Sequence, residues 1–290
     1  MRVITVANHK GGVGKTTTSV ALGGLASAQG YRVLLLDMDP HGSLSTYFRQ
    51  DPDTQKLSTY TLFQERKELT ATSVKRLILA TDYPGLDLFP AATALATLER
   101  QAIGQDGMGL VIARALAFIY EDYDFVFIDT PPLLGVLMIN ALAACQHLVI
   151  PVQTEFLALK GLERMVHTLN MMSSSRKKAL SYSILPVMYD RRTQASVSSL
   201  RTIRNGYANE AWPGYVPVDT RFRDASRAGL PPHLFDDASR GVVAYRAFFK
   251  WLLQKISAEF TAVNSSVNVN GIASNSGKVG NDVAKSGNGL

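Results

Sequence analysis

The sequence predicts a doubly wound, mostly parallel α/β sheet, and three observations carry that prediction. Short β-branched runs alternate with longer amphipathic stretches. Several of the short runs are apolar throughout, as in parallel strands buried on both faces. The first run is followed at once by a glycine-rich turn and a helical stretch, the opening of a strand–turn–helix crossover unit.

The elements follow in order. Val3–Ala7 reads as the first strand, and Thr16–Gln29, rich in small residues and Leu, as the helix after the turn. Val33–Leu36 (VLLL) and Leu86–Phe89 are short apolar strands, and Gly109–Tyr120 has helical spacing. Phe125–Ile128 and Leu148–Val152 are strands bounded by Asp, Gln and Pro. Leu159–Ser173 is a helix, Ser183–Val187 a strand and Ser196–Ala208 a helix. Tyr215–Val218 reads as a last strand and Gly241–Phe260 as a closing helix. These elements place one domain over residues 1–260. Residues 261–290 hold no aromatic residue and are dominated by Asn, Ser, Gly and Val, so they read as a disordered polar tail.

Composition narrows the class. Hydrophobic residues make up 46% of the chain and charged ones 19%, enough for a sizeable core. No apolar run approaches the ~20 residues of a membrane-spanning helix, and MRVITVANHK is too short an apolar run for a secretory signal. Cys145 is alone, which excludes an internal disulfide framework or a cysteine-based metal site. A cytoplasmic protein is expected. Residues 1–150 carry 12 Lys/Arg against 14 Asp/Glu, and residues 151–290 carry 18 against 10. The basic half suits a polyanion, or scattered solvated arginines.

The chemistry lies in HKGGVGKTTTSV, residues 9–20. A phosphate-binding loop needs Gly, four residues, then Gly-Lys-Ser/Thr. Gly14-Lys15-Thr16 completes the pattern, but His9 occupies the first glycine position, with Lys10 beside it. Gly11, Gly12, Val13 and Gly14 let backbone N–H groups turn around phosphate oxygens, and the following helix N-terminus adds positive potential at Thr16 and Thr17. Lys15 would meet the β- and γ-phosphates, and the Thr16 hydroxyl would ligate Mg²⁺. LLLDMDPHG puts Asp37 and Asp39 two residues apart, hence on the same side of an extended segment. FVFIDTPP ends in Asp129, in the form of a Mg²⁺-holding carboxylate at a strand end. The histidines show no metal-ligand spacing, and no GxGxxG or G-x-S-x-G pattern is present.

Together KGGVGKTT, DMDPHGSLS and FIDTPP resemble the ParA/MinD family of ATPases, whose phosphate loop is a deviant Walker A motif on a SIMIBI-type P-loop fold. The resemblance covers roughly residues 1–260. It implies ATP/ADP and Mg²⁺ as cofactors and a homodimer with ATP sandwiched between subunits. Lys10 matches the signature lysine that reaches the partner's phosphates, and Lys15 the lysine of the chain's own nucleotide. Thr16 and Asp129 then serve Mg²⁺, Asp37 supports the metal site, and Asp39 positions the attacking water. ILPVMYDRRTQAS and YVPVDTRFRDAS match the segments that build the adenine pocket, which implies Met188, Tyr189, Asp190, Pro217 and Asp219 there. Partition members carry Pro-Arg-Asn before a Val-Arg pair, where this chain has Val218-Asp219-Thr220.

DPHGSLSTYF, TALATLERQAIGQDGMGLVIARAL, PPLLGVLMINALAACQHLVIPVQTEFLALKGLERM and FDDASRGVVAYRA resemble the ParC-type branch that accompanies chemotaxis genes. This implies a slow, partner-regulated ATPase that places chemotaxis arrays at a cell pole, with a ParP-like adaptor and a polar landmark protein as partners. The alternative is chromosome or plasmid partition on non-specific DNA, with Arg191, Arg192, Arg221, Arg223 and Arg227 touching phosphates. Those arginines serve equally well as surface charges. The closing helix is basic and amphipathic, a form that suits a membrane surface, but its broad apolar face and the polar tail after it favour packing on the sheet over membrane attachment.

Overall fold

The computed structural model describes residues 1–101, 107–173 and 179–273. The chain forms two compact units, Met1–Phe249 and Lys250 onward. The first holds a sheet of seven strands: β1 (Arg2–Val6), β2 (Val33–Asp37), β3 (Leu79–Ala80), β4 (Leu86–Phe89), β5 (Phe125–Asp129), β6 (His147–Gln153) and β7 (Ser181–Val187). Their order is β3-β4-β2-β5-β1-β6-β7, parallel throughout except for the two-residue antiparallel edge β3.

The helices are α1 (Lys15–Ser27), α2 (Ser43–Tyr47), α3 (Thr59–Gln64), α4 (Ala71–Lys75), α5 (Leu95–Gln101), α6 (Val111–Ala117), α7 (Val136–Ala144), α8 (Phe156–Ser173), α9 (Gln194–Gly206), α10 (Arg221–Ala228), α11 (Pro232–Phe235) and α12 (Arg240–Ala273). The strands β2 and β5 alternate their side chains between two layers, as extended chains must. Leu34, Leu36, Val126 and Ile128 join Val111, Ile112 and Ala141 in one buried cluster. Leu35 points the other way, under α1, where a Cβ on Gly23 would come within 2.6 Å of it. A glycine there lets helix and sheet approach closely. A second cluster joins Leu148, Ile150 and Val152 to Leu162, Met165, Leu169 and Ile203 beneath α8 and α9.

Six of the seven expected strands form, and one does not. Tyr215–Val218 runs beside β7 without becoming a strand, making an isolated Tyr189–Pro217 bridge, while Ile184 bridges Ala211. Val216 donates to Pro186 O and Val218 to Tyr189 O, but Pro186 and Pro217 have no N–H to extend a ladder. The closing helix buries Val242, Tyr245, Phe248 and Phe249 within the first unit. α12 continues past Phe260 to Ala273; of the predicted tail, residues 274–290 lie outside the described residues. Among the described residues no helix is long and apolar enough to cross a membrane.

Candidate functional site

Parallel strands deliver their C-terminal ends to one edge of the sheet, and the predicted site residues sit on the loops that leave it. Register decides which of them meet. Asp129 stands opposite Asp37 on one side and Val6 on the other, so the two carboxylates and the loop after β1 share one corner.

The loop itself is shaped by its glycines. Gly12 and Gly14 adopt φ 74° and 79°, a left-handed backbone that disfavours side chains, and Gly14 leads directly into α1. Val13 is fully buried and pins the loop to the core, whereas Gly11 and Gly12 face solvent. Thr17 is half-buried at the start of the helix. At the oddly occupied first position, desolvation lowers the half-buried His9 ring below the usual imidazole range, against a hydrogen bond to the Pro132 backbone that works the other way.

The two lysines part company. Lys15 is buried and folds back so that its Nζ donates to Lys10 O at 3.3 Å. Lys10 instead directs its Nζ to Gln153 Oε1 at 2.9 Å and to Glu155, with which it forms an ion pair. Its own backbone N–H is held by Asn8 Oδ1 at 3.0 Å, and Asn8 Nδ2 donates to Pro151 O at 2.8 Å, stitching the loop to β6.

The carboxylates differ in how they are engaged. Asp129 accepts from the Thr16 hydroxyl at 2.6 Å and from Ser19 Oγ at 3.4 Å. Asp37, fully buried, spends Oδ1 on the Asp39 N–H (3.0 Å) and Oδ2 on the N–H and hydroxyl of Ser45 (2.8 and 2.7 Å). Asp39 accepts from the His41 N–H at 3.0 Å and lies 2.9 Å from His41 Nδ1. Burial pushes Asp37 up to about 7; burial and then the Asp37 charge push Asp129 up to about 8. Burial likewise lowers Lys15, against the pull of Asp129 and Asp39. A cation placed here would favour ionised Asp129, and a phosphate would favour a charged Lys15.

Thr16 and Asp129 are hard oxygen donors in hydrogen-bond contact, the donor chemistry Mg²⁺ accepts, and this ion takes few protein ligands beside phosphates and water. Among the described residues no cluster of three or more His, Cys, Asp or Glu could hold a metal alone. Asp37, with both oxygens engaged, backs the site from behind.

The predicted adenine residues divide. Tyr189, Asp190, Pro217 and Asp219 line a cavity of about 870 Å³, together with Trp212, Tyr215 and residues of α12 up to Ala247. Tyr189 and Tyr215 pack ring to ring at 4.1 Å. Met188, at φ 54°, lies outside that lining and sits on the phosphate loop instead, its Sδ 2.9 Å from Gln153 Nε2. The Asp219 carboxylate accepts from the Arg221 and Gly241 N–H groups, closing the mouth of α12. The five arginines are all exposed. Arg191 and Arg192 border the cavity, Arg192 is paired with Asp190 and Arg221 with Asp236, and Arg223 and Arg227 stand on α10.

Sequence reasoning missed Ser45, Gln153 and Glu155. Ser45 is invisible because its partner is set by the path of α2. Gln153 and Glu155 carry a signal after all: polar residues at the end of an apolar strand, as at Asp37 and Asp129.

A family model described as an AAA domain matches residues 1–182. The sporulation initiation inhibitor protein Soj of Bacillus subtilis is 33% identical over 84% of this chain and 95% of its own length. The chromosome partitioning protein ParA of Caulobacter vibrioides is 34% identical over 84% of this chain and 91% of its own. Among solved structures, cobyrinic acid a,c-diamide synthase from Mycobacterium smegmatis with bound ADP and magnesium is 32% identical, with a TM-score of 0.73, over 88% of this chain and 94% of that one.

Proposed function

The chain belongs to the ParA/MinD family of P-loop ATPases, and on that premise we propose that it is an ATP-dependent dimerising switch that positions a cellular cargo. One observation carries the reading. A single loop holds two lysines with different surroundings, Lys15 turned inward and Lys10 turned toward Gln153 and Glu155.

ATP and ADP with Mg²⁺ are the ligands, as in the solved relative that binds ADP and magnesium. The N–H groups of Gly11 to Thr17 cradle phosphate oxygens, and Lys15 faces the chain's own phosphates. Thr16 and Asp129 would hold Mg²⁺, which neutralises charge on the transferring phosphoryl group. Asp37 keeps Asp39 in place, and Asp39 orients the attacking water. Lys10 meets the nucleotide of a second copy, supplying charge where a loose phosphoryl-transfer transition state develops it. Leu133, Leu134, Phe156 and Leu157 flank the site and are 69%, 45%, 66% and 70% exposed, apolar surface that a second copy would cover. Tyr189, Asp190, Pro217 and Asp219 form the base pocket, with Met188 between it and the phosphates. Hydrolysis is slow until a partner accelerates it, and resets the dimer.

For the cargo, the relatives named for chromosome partitioning support a DNA-linked role, with Arg191, Arg192, Arg221, Arg223 and Arg227 on phosphates. A second reading, polar placement of chemotaxis arrays through a ParP-like adaptor and a polar landmark, rests on the segments from DPHGSLSTYF to FDDASRGVVAYRA. Mobility-shift titrations of non-specific DNA with ATP separate them. The DNA-linked role requires binding whose logarithm falls linearly with that of salt, by about 0.9 per phosphate contacted. No shift at low salt rejects it. Dimerisation itself is read by light scattering with ATP: wild type should double in mass and Lys10→Ala should not.

A further inference from the structure

We infer that Glu155 and Gln153 are positioning residues for Lys10: they hold its ammonium on its own chain, and formation of the dimer exchanges that contact for the partner's nucleotide. The inference rests on the reading of Lys10 given above and adds to it what Lys10 does before the partner arrives.

The holding segment is built for the task. β6 ends in Gln153, and Thr154 ties the next turn down, donating its N–H to Val187 O at 3.2 Å and sharing a 2.5 Å hydroxyl contact with Ser196. Glu155 N–H then donates to Gln153 O at 2.8 Å, a tight turn that puts both acceptors on one ammonium. The Gln153 amide is used at both ends. Its Oε1 accepts from Lys10, while its Nε2 donates to Gly12 O at 3.3 Å and faces Met188 Sδ. Gln153 therefore reads the shape of the phosphate loop and the position of Lys10 together.

The Lys10 ammonium has three donors, and Gln153 and Glu155 engage it on its own chain, so turning it to a partner's phosphates draws it away from Glu155. The side chains of Lys10 and Glu155 are 34% and 47% exposed. A pair in such surroundings shifts an equilibrium by no more than about fivefold, weak enough to yield to phosphate. Two chains each release one lysine, so the dimerisation constant carries the factor twice, up to about 25-fold. The pair thus sets a threshold against premature dimerisation.

The test is Glu155→Gln, which keeps shape and removes charge, read by light scattering across protein concentration with saturating ATP. We expect half-dimerisation at a lower protein concentration than wild type, by about 2-fold to 25-fold, with monomer Tm and monomer affinity for a fluorescent ATP analogue unchanged. Glu155→Asp, which keeps the charge, should fall between Glu155→Gln and wild type. An unchanged midpoint in Glu155→Gln overturns the inference, and so does weaker dimerisation, which would make Glu155 a contact to the second copy. A wild-type chain that stays monomeric with ATP removes the underlying reading and this inference together. A wild type that dimerises beside an unshifted Glu155→Gln removes only the inference.

Discussion

Replacing Ser45 by Ala removes one oxygen atom from the wall behind the phosphate site and should cost far more than its size suggests. That hydroxyl donates to Asp37 Oδ2 at 2.7 Å and accepts from the Ala91 N–H at 2.8 Å, with Ser45 and Asp37 both fully buried. Above the raised Asp37 value of about 7, where its carboxylate is charged, a hydrogen bond to it contributes about 1.5–3 kcal/mol, and a buried N–H left unpaired costs about 1–3 kcal/mol more. Together they set the loss at about 2.5–6 kcal/mol, which for a chain of this size lowers Tm on the order of 10 °C. Urea denaturation of Ser45→Ala against wild type measures it. Ser43→Ala, exposed on the same helix, is the control and should stay within about 0.5 kcal/mol. The loss also reaches the chemistry, because Asp37 Oδ1 holds the Asp39 N–H. Hydrolysis in Ser45→Ala should fall more steeply than nucleotide affinity, which rests on the loop. A stability change below about 1 kcal/mol would refute the assignment of this hydroxyl as the anchor of Asp37.

Three further outcomes are expected. Lys15→Ala should lose nucleotide binding in fluorescence titrations, whereas Lys10→Ala should keep much of it and fail to dimerise. Asp39→Ala should bind ATP and dimerise by light scattering yet release no phosphate. The third concerns pH. Asp37 and Asp129 sit above their ordinary values, at about 7 and about 8, so between about pH 4 and pH 8 the folded chain binds more protons than the unfolded one. Without Mg²⁺ and nucleotide, stability should therefore fall as pH rises through that window, by about 1.4 kcal/mol per pH unit for each retained proton. Asp129→Asn should flatten the slope in denaturant titrations, and stability rising between about pH 6 and 8 would contradict the burial argument.

The fold was legible wherever periodicity and length agreed. β2 and β5 are apolar at every position but their last, and that pattern suits only a strand covered on both faces. Legibility failed where a neighbour decides the outcome. Tyr215–Val218 has strand composition, but it lies beside Pro186 and contains Pro217, so the missing donors are set by register. α7, almost wholly apolar, carries no moment by which a sequence could separate a buried helix from a strand. β3 is too short to have any pattern of its own.

The site divides along the same physical line. Gly14, Lys15, Thr16, Asp37 and Asp129 are local consequences of a strand end followed by a turn, so spacing along the chain brings them into register. The residues that hold them in place lie far away in sequence. Gln153 meets Lys10 across 143 positions, Asn8 meets Pro151 across 143, and Tyr245 reaches the Thr18 hydroxyl across 227. A contact of that range leaves no trace in spacing, because its partner is chosen by strand order. Strand order itself follows from the sequence only through packing of the whole sheet. That is why Lys10 was readable as an unusual lysine from its neighbours, and Gln153 and Glu155 carry the mark of a strand end, while their contact with Lys10 became visible only when β6 was seated beside β1.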